Sequence, residues 1–294
     1  MKKFALVLLL IIVCVCAVGC SSIGYVYTDA RHYTAGDARV SGRVDELDIN
    51  WSDGAVYVEY YNGSDIRLSE TCDRELKKDQ QLHWYLDGKT LRVQYAASGM
   101  RISGRLDKQL TVLIPNDLRL DDAHIAVASA QVEADGLNAK KIKIDSASGQ
   151  VALRQLGEAE EINVNTASGA VAVAVENAEL LKVNSASGAV IVDALYVEEV
   201  KIATASGNAT VQLANTADRI KVDSVSGAVR LILPDSMGFT ADVDSLSGRV
   251  GGSLRLTRDD EDYVHGNGRC KIEVDTVSGN VTFDENTAGE GHQL

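Results

Sequence analysis

Hydroxyl-bearing side chains, which can act as nucleophiles, recur at regular intervals in the second half of the chain. Seven segments share the pattern [ST]-x-S-G, from Ser146 in the first to Thr276 in the last. A nucleophilic serine needs a neighbouring base and an acid that orients the base. None of the five histidines recurs with the segments. The sequence therefore predicts neither a catalytic triad nor any other catalytic residue.

Acidic and amide side chains occupy the position four residues before the glycine in six of the seven segments. Stacked carboxylates could bind Ca²⁺ through their oxygens, but Asn and Ala interrupt the row, and the glycine-rich nonapeptide of calcium-binding β-rolls is missing. Asp and Asn also favour turns for reasons of their own. We therefore expect turn chemistry, with no metal site and no cofactor. The row consists of Asp145, Asn165, Asn184, Ala203, Asp223, Asp244 and Asp275.

Lysines recur two residues before this row, at Lys143, Lys182, Lys201 and Lys221. If they share a face, they form a basic stripe that could bind an acidic glycan or another envelope polymer. Alternatively, each lysine pairs with a neighbouring carboxylate, and an exposed pair of this kind contributes less than ~1 kcal/mol. We favour pairing and retain the stripe as a possible surface-binding site.

The glycines of these segments indicate how the chain positions the rows. They lie 19 to 21 residues apart, except for a gap of 31 residues before Gly279. On both sides of each glycine, apolar and mostly β-branched residues alternate with polar ones, which is the period of a β-strand. A repeat of this length is typical of a solenoid. We predict an all-β, right-handed parallel β-helix with coils of 19 to 21 residues.

Each S-x-S-G segment is expected to form a corner of the coil. Glycine would relieve the φ penalty of a sharp bend, and the hydroxyls would bond backbone groups that the corner leaves unpaired. The residue between the two hydroxyls, such as Ala147 or Leu246, is expected to point inward. Successive coils should stack in register and align one interior column. That column contains Ile142, Ile162, Leu181, Val200 and Ile220.

The flanks of the repeat predict capping structures. Residues 45–120 match the repeat once and then depart from it, and they hold both tryptophans. We expect an aromatic-rich N-terminal cap, because solenoids must hide their open ends. The 31-residue gap predicts a hairpin excursion before the last coil. The expected domains are a signal peptide at 1–19, a tether at 20–44, the cap at 45–120, the repeat solenoid at 121–284 and a disordered tail at 285–294.

The first residues indicate export from the cytoplasm. Two lysines precede an almost wholly apolar stretch, as in a secretory signal peptide, and Ala17-Val18-Gly19-Cys20 resembles the lipobox of bacterial lipoproteins. Cys20 is therefore the predicted lipidation site, and the protein is expected to be extracytoplasmic and lipid-anchored to a bacterial membrane. Cys72 and Cys270 would lie several coils apart, too far for a disulfide, so we expect two free thiols.

The formal net charge of −13 limits the class of partner. Such a surface repels nucleic-acid phosphates, so no nucleic-acid partner is expected. Repulsion of this size also helps to keep a strand-rich protein soluble, and we expect a monomer.

Three features together resemble a known family. They are the lipoprotein-type leader, the I-x-W-x-x-G-x-V-x-V segment at 49–58, and the reiterated D-[ST]-x-S-G-x-V motif, whose last copy lies in GNGRCKIEVDTVSGNVTF at 266–283. Over about residues 40–284 the chain resembles the bacterial "putative adhesin" family. This is a domain-of-unknown-function group of β-helical envelope proteins in which LiaG-like proteins are also placed. The resemblance implies a non-enzymatic protein and supplies no catalytic or binding residue.

These observations favour a surface-tethered, non-enzymatic β-solenoid that acts as an adhesin-like binding or scaffold module of the bacterial cell envelope. Its expected partners are the membrane, through the N-terminal lipid, and a cell-wall glycan or a membrane protein. Two alternatives stay open, namely an accessory protein of an envelope-stress sensing system and a β-helix enzyme acting on polysaccharide. The sequence does not identify the ligand.

Overall fold

The computed structural model describes residues 26–101 and 104–287, and nearly all regular structure in these residues is β-strand. A 3₁₀ turn at Ala30–His32 precedes the strands. Within this part of the chain, no helix combines the length and the apolar character needed to cross a membrane. The expected leader with Cys20 and residues 288–294 of the expected tail lie outside the described residues.

Parallel strands of the repeat stack in two sheets, one formed before each corner (sheet A) and one formed after it (sheet B). One strand of each sheet and the corner between them make a rung. Three long strands, at 151–166, 171–185 and 190–204, each begin in sheet B and continue into sheet A of the next rung. The central strands are β9 (Leu120–Val127), β10 (Gln131–Leu137), β11 (Ala139–Ser146), β12 (Val151–Thr166), β13 (Val171–Ser185), β14 (Val190–Thr204), β15 (Ala209–Leu213), β16 (Arg219–Ser226) and β17 (Val229–Leu233).

Apolar residues of successive central rungs form one continuous interior column. Each member is at most 1% exposed. One rung is too thin to bury its own apolar side chains, so a neighbour stacked ~4.8 Å away must cover them. The predicted parallel β-solenoid is therefore confirmed. In register, the column runs through Ile142, Ile162, Leu181, Val200 and Ile220.

At the C-terminal end of the stack, the spatial order of the rungs differs from their order in the sequence. The last rung of the chain consists of β22 (Cys270–Ser278) and β23 (Val281–Glu285). It lies between the rung at 219–233 and the rung formed by β18 (Phe239–Ser245) and β19 (Val250–Gly251). The end of the stack is thus an internal segment of the chain, and the expectation that all rungs stack in sequence order was wrong here.

The excursion expected in the 31-residue gap is present as a hairpin. Strands β20 (Thr257–Asp259) and β21 (Asp262–His265) pair antiparallel, and β21 also pairs antiparallel with the first three residues of β18. Because the hairpin covers only that part of β18, it closes this end of the stack incompletely.

The N-terminal end shows the same exchange of rung order. The first rung, β3 (Glu46–Trp51) and β4 (Ala55–Tyr61), is internal to the stack and pairs with β9 and β10 on one side. On its other side it pairs with β7 (Thr90–Gln94) and β8 (Gln109–Pro115), which form the outermost parallel rung.

At this end, two successive antiparallel strands cover the edge of each sheet. Strand β6 (His83–Asp87) pairs with β7, and β1 (Thr34–Ala35) pairs with β6. Strand β5 (Ile66–Thr71) pairs with β8, and β2 (Ala38–Val40) pairs with β5. Because β1 and β2 belong to the cap, residues 34–40 are folded structure, which corrects their assignment to the tether expected at 20–44.

A buried ammonium group closes the interior beneath this cap. Lys108 is 0% exposed, and its Nζ lies 2.8 Å from Glu70 Oε2 and 4.3 Å from the centroid of the Tyr95 ring. The ring of Tyr95 meets that of Trp51 edge to face. Burial lowers the pKa of Lys108, and the contact with Glu70 opposes that shift. A buried charge of this kind is tolerated only with a partner, so Glu70 and Lys108 depend on each other.

Glycine is required at the corners because neighbouring rungs approach closely there. A Cβ added to Gly169 would lie 1.9 Å from the carbonyl oxygen of Gly149, and one added to Gly188 would lie 1.9 Å from that of Gly169. Among the corner glycines, φ lies in the left-handed region at Gly54 and Gly227 but not at Gly149, Gly169 or Gly188. The expected reason, relief of a φ penalty, is therefore wrong for most corners.

The first hydroxyl of each corner segment points into the interior. Ser185 is 0% exposed, and its Oγ donates to the Gly188 carbonyl (2.9 Å) and accepts from the Gly188 N–H (2.9 Å). The residue expected to point inward is instead half-buried, as at Ala147, or exposed, as at Leu246. The second hydroxyl, such as that of Ser187, donates to a carbonyl of the preceding rung. The prediction that hydroxyls bond the corner backbone is therefore confirmed at most corners, but the buried hydroxyls of Ser224 and Thr276 have no hydrogen-bond partner among the described residues.

Candidate functional site

Two rows of polar side chains run along the outer surface of sheet A, and we call this surface the polar face. Neighbours within a row are one rung apart, ~4.8 Å. In spatial order, the first row is Arg92, Asp48, His124, Lys143, Asn163, Lys182, Lys201, Lys221, Glu273 and Asp242. The second row is Asn50, Ala126, Asp145, Asn165, Asn184, Ala203, Asp223, Asp275 and Asp244.

A histidine between two carboxylates joins three rungs of the polar face. His124 Nε2 lies 3.0 Å from Asp145 Oδ2, and its Nδ1 lies 3.5 Å from Asp48 Oδ1. Arg92 Nη1 donates to the other oxygen of Asp48 at 3.0 Å. Hydrogen bonds to Asp145 and Asp48 raise the pKa of His124 to about 9. At neutral pH the ring therefore carries protons on both nitrogens, and it has no free nitrogen with which to act as a general base.

Amide side chains continue this network along the second row. Asn165 Nδ2 donates to Asp145 Oδ1 at 2.8 Å, and Asn184 Nδ2 donates to Asn165 Oδ1 at 2.8 Å. Burial by itself would raise the pKa of Asp145, but hydrogen bonds from His124, Lys143 and Asn165 outweigh burial and hold the pKa well below its usual value. The result is a ladder of carboxylate and amide groups, each oriented by its neighbour on the adjacent rung.

The four lysines of the predicted stripe lie in one row, but each of them contacts a carboxylate. An ammonium group held by a carboxylate contributes little net positive charge to the surface. The pairing alternative therefore describes these lysines, although most of the partners are glutamates rather than members of the Asp/Asn row. The shortest contacts are Lys143 with Asp145 (2.8 Å), Lys182 with Glu161 (2.9 Å), Lys201 with Glu199 (2.9 Å) and Lys221 with Glu273 (2.6 Å).

Carboxylates accumulate at the C-terminal end of the polar face because of the exchanged rung. The register stacks Asp223, Asp275 and Asp244 on three adjacent rungs. Burial, together with the charge of Asp275, raises the pKa of Asp223, and Lys221 opposes the rise. Even so, no group of three or more His, Cys, Asp or Glu side chains within 26–101 and 104–287 is arranged to hold a metal ion.

Sequence reasoning missed Arg92, Asp48 and His124. For two of them the signal was available, because Asp48 lies six residues before Gly54, and His124 lies six residues before Ala130, the residue in the glycine position of a degenerate copy. This is the position that Lys143 occupies before Gly149. Arg92 has no such signal, since its strand carries no corner glycine.

The outer surface of sheet B is less polar near the centre of the stack. Ala152, Ala172 and Ala174 line a shallow recess of about 260 Å³, with Ile191 at one side. Ile191 is 54% exposed. Charged side chains border the recess as well, among them the ion pair of Arg154 with Asp135. The hydrogen-bonded ladder that spans three successive central rungs lies on sheet A.

Comparisons with known proteins identify a family and several distantly similar structures. Residues 44–284 match the profile of the family described as Toastrack DUF4097, whereas no curated protein matches the chain. The chain is similar to a "putative adhesin" from Parabacteroides distasonis, with 13% identity over 86% of this chain and 97% of that chain and a TM-score of 0.48. It is also similar to a "putative lipid binding protein" from the same species, with 14% identity over 87% and 97% and a TM-score of 0.46.

A "putative adhesin" from Parabacteroides merdae is similar as well, with 13% identity over 86% of this chain and 97% of that chain and a TM-score of 0.43. These likenesses are distant, and the family match is the stronger finding. Because the profile covers most of the chain, from the first internal rung to the last, the chain belongs to the Toastrack family, a family of unknown function.

Proposed function

We propose that the chain is a non-enzymatic binding module of the bacterial cell envelope, and that its polar face binds a repeating glycan of the cell wall. The observation that carries the proposal is the ladder from Asp145 through Asn165 to Asn184, in which each side chain is hydrogen-bonded to its neighbour on an adjacent rung. Amide groups offer both donors and acceptors, which suits the hydroxyl groups of sugars.

Regular spacing supports a polymer rather than a small ligand. A ladder that repeats at each rung can make the same contact with successive units of a repeating chain, and linked contacts strengthen one another. The side chains are already held in place, so binding costs little additional conformational entropy. Because the lysines are paired with carboxylates, the proposal does not require the glycan to be acidic.

The N-terminal residues support a location outside the cytoplasm. We propose that Cys20 carries the lipid and that the membrane is therefore one partner, since each buried CH₂ of an acyl chain contributes ~0.8 kcal/mol. Both ring nitrogens of His124 are held by carboxylates. This supports a binding role over the alternative of a polysaccharide-active enzyme, because a glycan on this face would meet no general base at that position.

The proposal is tested by sedimentation of the purified chain with insoluble peptidoglycan sacculi. The double variant Asn165→Ala/Asn184→Ala should reduce the bound fraction at least tenfold. The triple variant Lys182→Ser/Lys201→Ser/Lys221→Ser should retain most of it, since those amines are already compensated. Thr210→Ala/Gln212→Ala on sheet B is the matched control and should bind normally.

Three results would contradict the proposal. Unchanged retention of the Asn165/Asn184 variant would remove the ladder as the binding surface. Loss of retention in the lysine variant alone would favour the basic stripe as the binding surface and an acidic polymer as its ligand. Capture of a membrane protein without any glycan retention would favour the accessory role in envelope-stress sensing.

A further inference from the structure

The C-terminal end of the stack has an open strand edge. Within the described residues, β19 pairs only with β23, and residues 242–245 of β18 pair only with β22. The hairpin strand β21 covers no more of β18 than residues 239–241. Residues 242–251, which we call the open edge, therefore have pairing partners on one side only. At the opposite end, two antiparallel strands cover each sheet.

The open edge also leaves apolar side chains incompletely covered. Val243 and Val250 occupy interior positions but are only partly buried, whereas their partners Val274 and Val281 are 0% exposed. Leu246, in the corner between them, is 81% exposed. A strand edge with unpaired backbone groups and exposed apolar surface is a template for pairing with another chain.

Negative charge surrounds the open edge. Asp242 and Asp244 lie on its β18 part, and Glu273 and Asp275 lie on the adjacent strand. Lys221 contacts Glu273 and Asp275, and Arg249, the one cation of residues 242–251, follows the corner. The negative charge of the β18 part therefore belongs mainly to Asp242 and Asp244, and burial and the surrounding carboxylates raise the pKa of Asp242. A strand that binds this edge is favoured if it carries positive charge.

Two other occupants fit the edge poorly. The last described residues lie away from it, because Asn286 donates to the carbonyls of Leu213 and Leu233, which lie on rungs further from the open end. A second copy, paired antiparallel through the same edge, would bring Asp242 close to Asp244 of its neighbour. Like charges on opposing strands destabilise such pairing.

We propose that the open edge binds an extended, lysine- or arginine-containing segment of another protein, which adds to the stack as a further β-strand. Main-chain hydrogen bonds to the edge would supply affinity, and alternate side chains would supply specificity. Its apolar residues would cover Val243, Val250 and Leu246, and its basic residues would face Asp242 and Asp244. This surface is separate from the Asp145–Asn184 ladder on the central rungs.

The test uses fluorescence anisotropy with the purified chain and a labelled heptapeptide of alternating Lys and Val. The peptide should bind saturably, whereas a peptide of alternating Glu and Val should not. A peptide of alternating Lys and Pro keeps the charge but lacks half of the backbone N–H groups, so it should bind at least tenfold more weakly.

Variants of the chain locate the binding surface. Asp242→Lys/Asp244→Lys should weaken binding of the Lys/Val peptide at least tenfold, and Leu246→Lys should weaken it as well. The control Glu133→Lys/Glu179→Lys reverses two exposed acids on central rungs and should leave binding within twofold. The Leu246→Lys variant and the control variant lie outside the polar face and should sediment with sacculi as the unchanged chain does, so the test is independent of the glycan proposal.

The proposal is overturned if the Lys/Pro peptide binds as well as the Lys/Val peptide, because attraction would then be charge alone. It is also overturned if the open-edge and control variants bind equally. Sedimentation velocity that shows a dimer abolished by Leu246→Lys would assign the edge to a second copy instead.

Discussion

His124 shows how one residue of the polar face couples stability to pH. Its charged ring is held between Asp48 and Asp145, and the pKa rises from 6.5 to about 9 on folding. A pKa that is higher in the folded chain stabilises the fold below the unfolded value, and this stabilisation is lost as pH rises through the folded value. The stabilisation by His124 is therefore lost between pH 6.5 and about pH 9.

Replacing His124 with Gln should lower the free energy of unfolding most at about pH 6, and the loss should shrink as pH rises past about 9. The glutamine is neutral at every pH, so it removes the titration without removing all hydrogen bonding. Urea unfolding of both proteins across this range measures the difference. A destabilisation that grows with pH would contradict the assigned charge of the ring.

At the same scale, the orientation of Ser146 could have been predicted from the sequence. Ile142, Ile144 and Ser146 share the parity of a strand, and all three are buried. The prediction instead placed Ala147 inside, although a hydroxyl can be buried when it has a hydrogen-bond partner. The missing information was the corner backbone, whose groups satisfy that hydroxyl and become available only after the corner has formed.

At the scale of the corner element, close approach between rungs decides which residue is tolerated. An added Cβ at Gly169 would meet the backbone carbonyl of Gly149 in the neighbouring corner, which cannot move independently of its rung. Gly251 lies in β19, and a Cβ added there would meet nothing within 4 Å. The two positions therefore form a matched pair.

Gly169→Ala should destabilise the chain by about 3 kcal/mol, as overpacking of a tight interior does. Gly251→Ala should change stability by less than about 0.5 kcal/mol, as exposed substitutions usually do. Urea midpoints of the two variants provide the comparison. Equal midpoints would show that the corner can expand, and the argument from close approach would fail.

Strand pairing shows where sequence reasoning succeeds and where it stops. Leu181 pairs with Ile162 and Val200, its neighbours in the repeat, so spacing alone predicts its column. Ile272 instead pairs with both Ile220 and Ala241. Every rung has the same alternation of apolar and polar residues, so any rung can stack on any other in register. The sequence pattern therefore does not determine which rungs become neighbours. The pairing of the lysines with carboxylates was predicted, but the glutamate partners of Lys182, Lys201 and Lys221 were not, because a partner depends on the rotamer that each long side chain adopts.

At the scale of the whole molecule, the exchanged rung makes the C-terminal end depend on the last residues of the chain. The rung at 239–251 touches the rest of the stack through β22 and β23. Without those strands it has no parallel partner among the described residues. Its folding therefore requires residues that follow it in the sequence.

A chain shortened after Asn267 should lose amide protection over residues 239–265 as well as lacking the deleted rung. Protection over the central strands at 139–204 should persist, because solenoid rungs depend mainly on their immediate neighbours. Hydrogen exchange measured by mass spectrometry distinguishes the two regions. As a control, replacing residues 257–265 with a short Gly/Ser link removes the hairpin and should leave residues 270–285 protected. Retained protection over 239–251 in the shortened chain would contradict the exchanged order.

Neighbouring central rungs make nearly identical contacts with one another. The number of central rungs can therefore change without altering those contacts. Gly169 sits against Gly149, Gly188 against Gly169 and Gly207 against Gly188. Tandem duplication of one such unit would extend the molecule by ~4.8 Å and leave both specialised ends untouched. Evolution can therefore adjust the reach of such a protein one unit at a time, with the two terminal structures inherited as fixed parts.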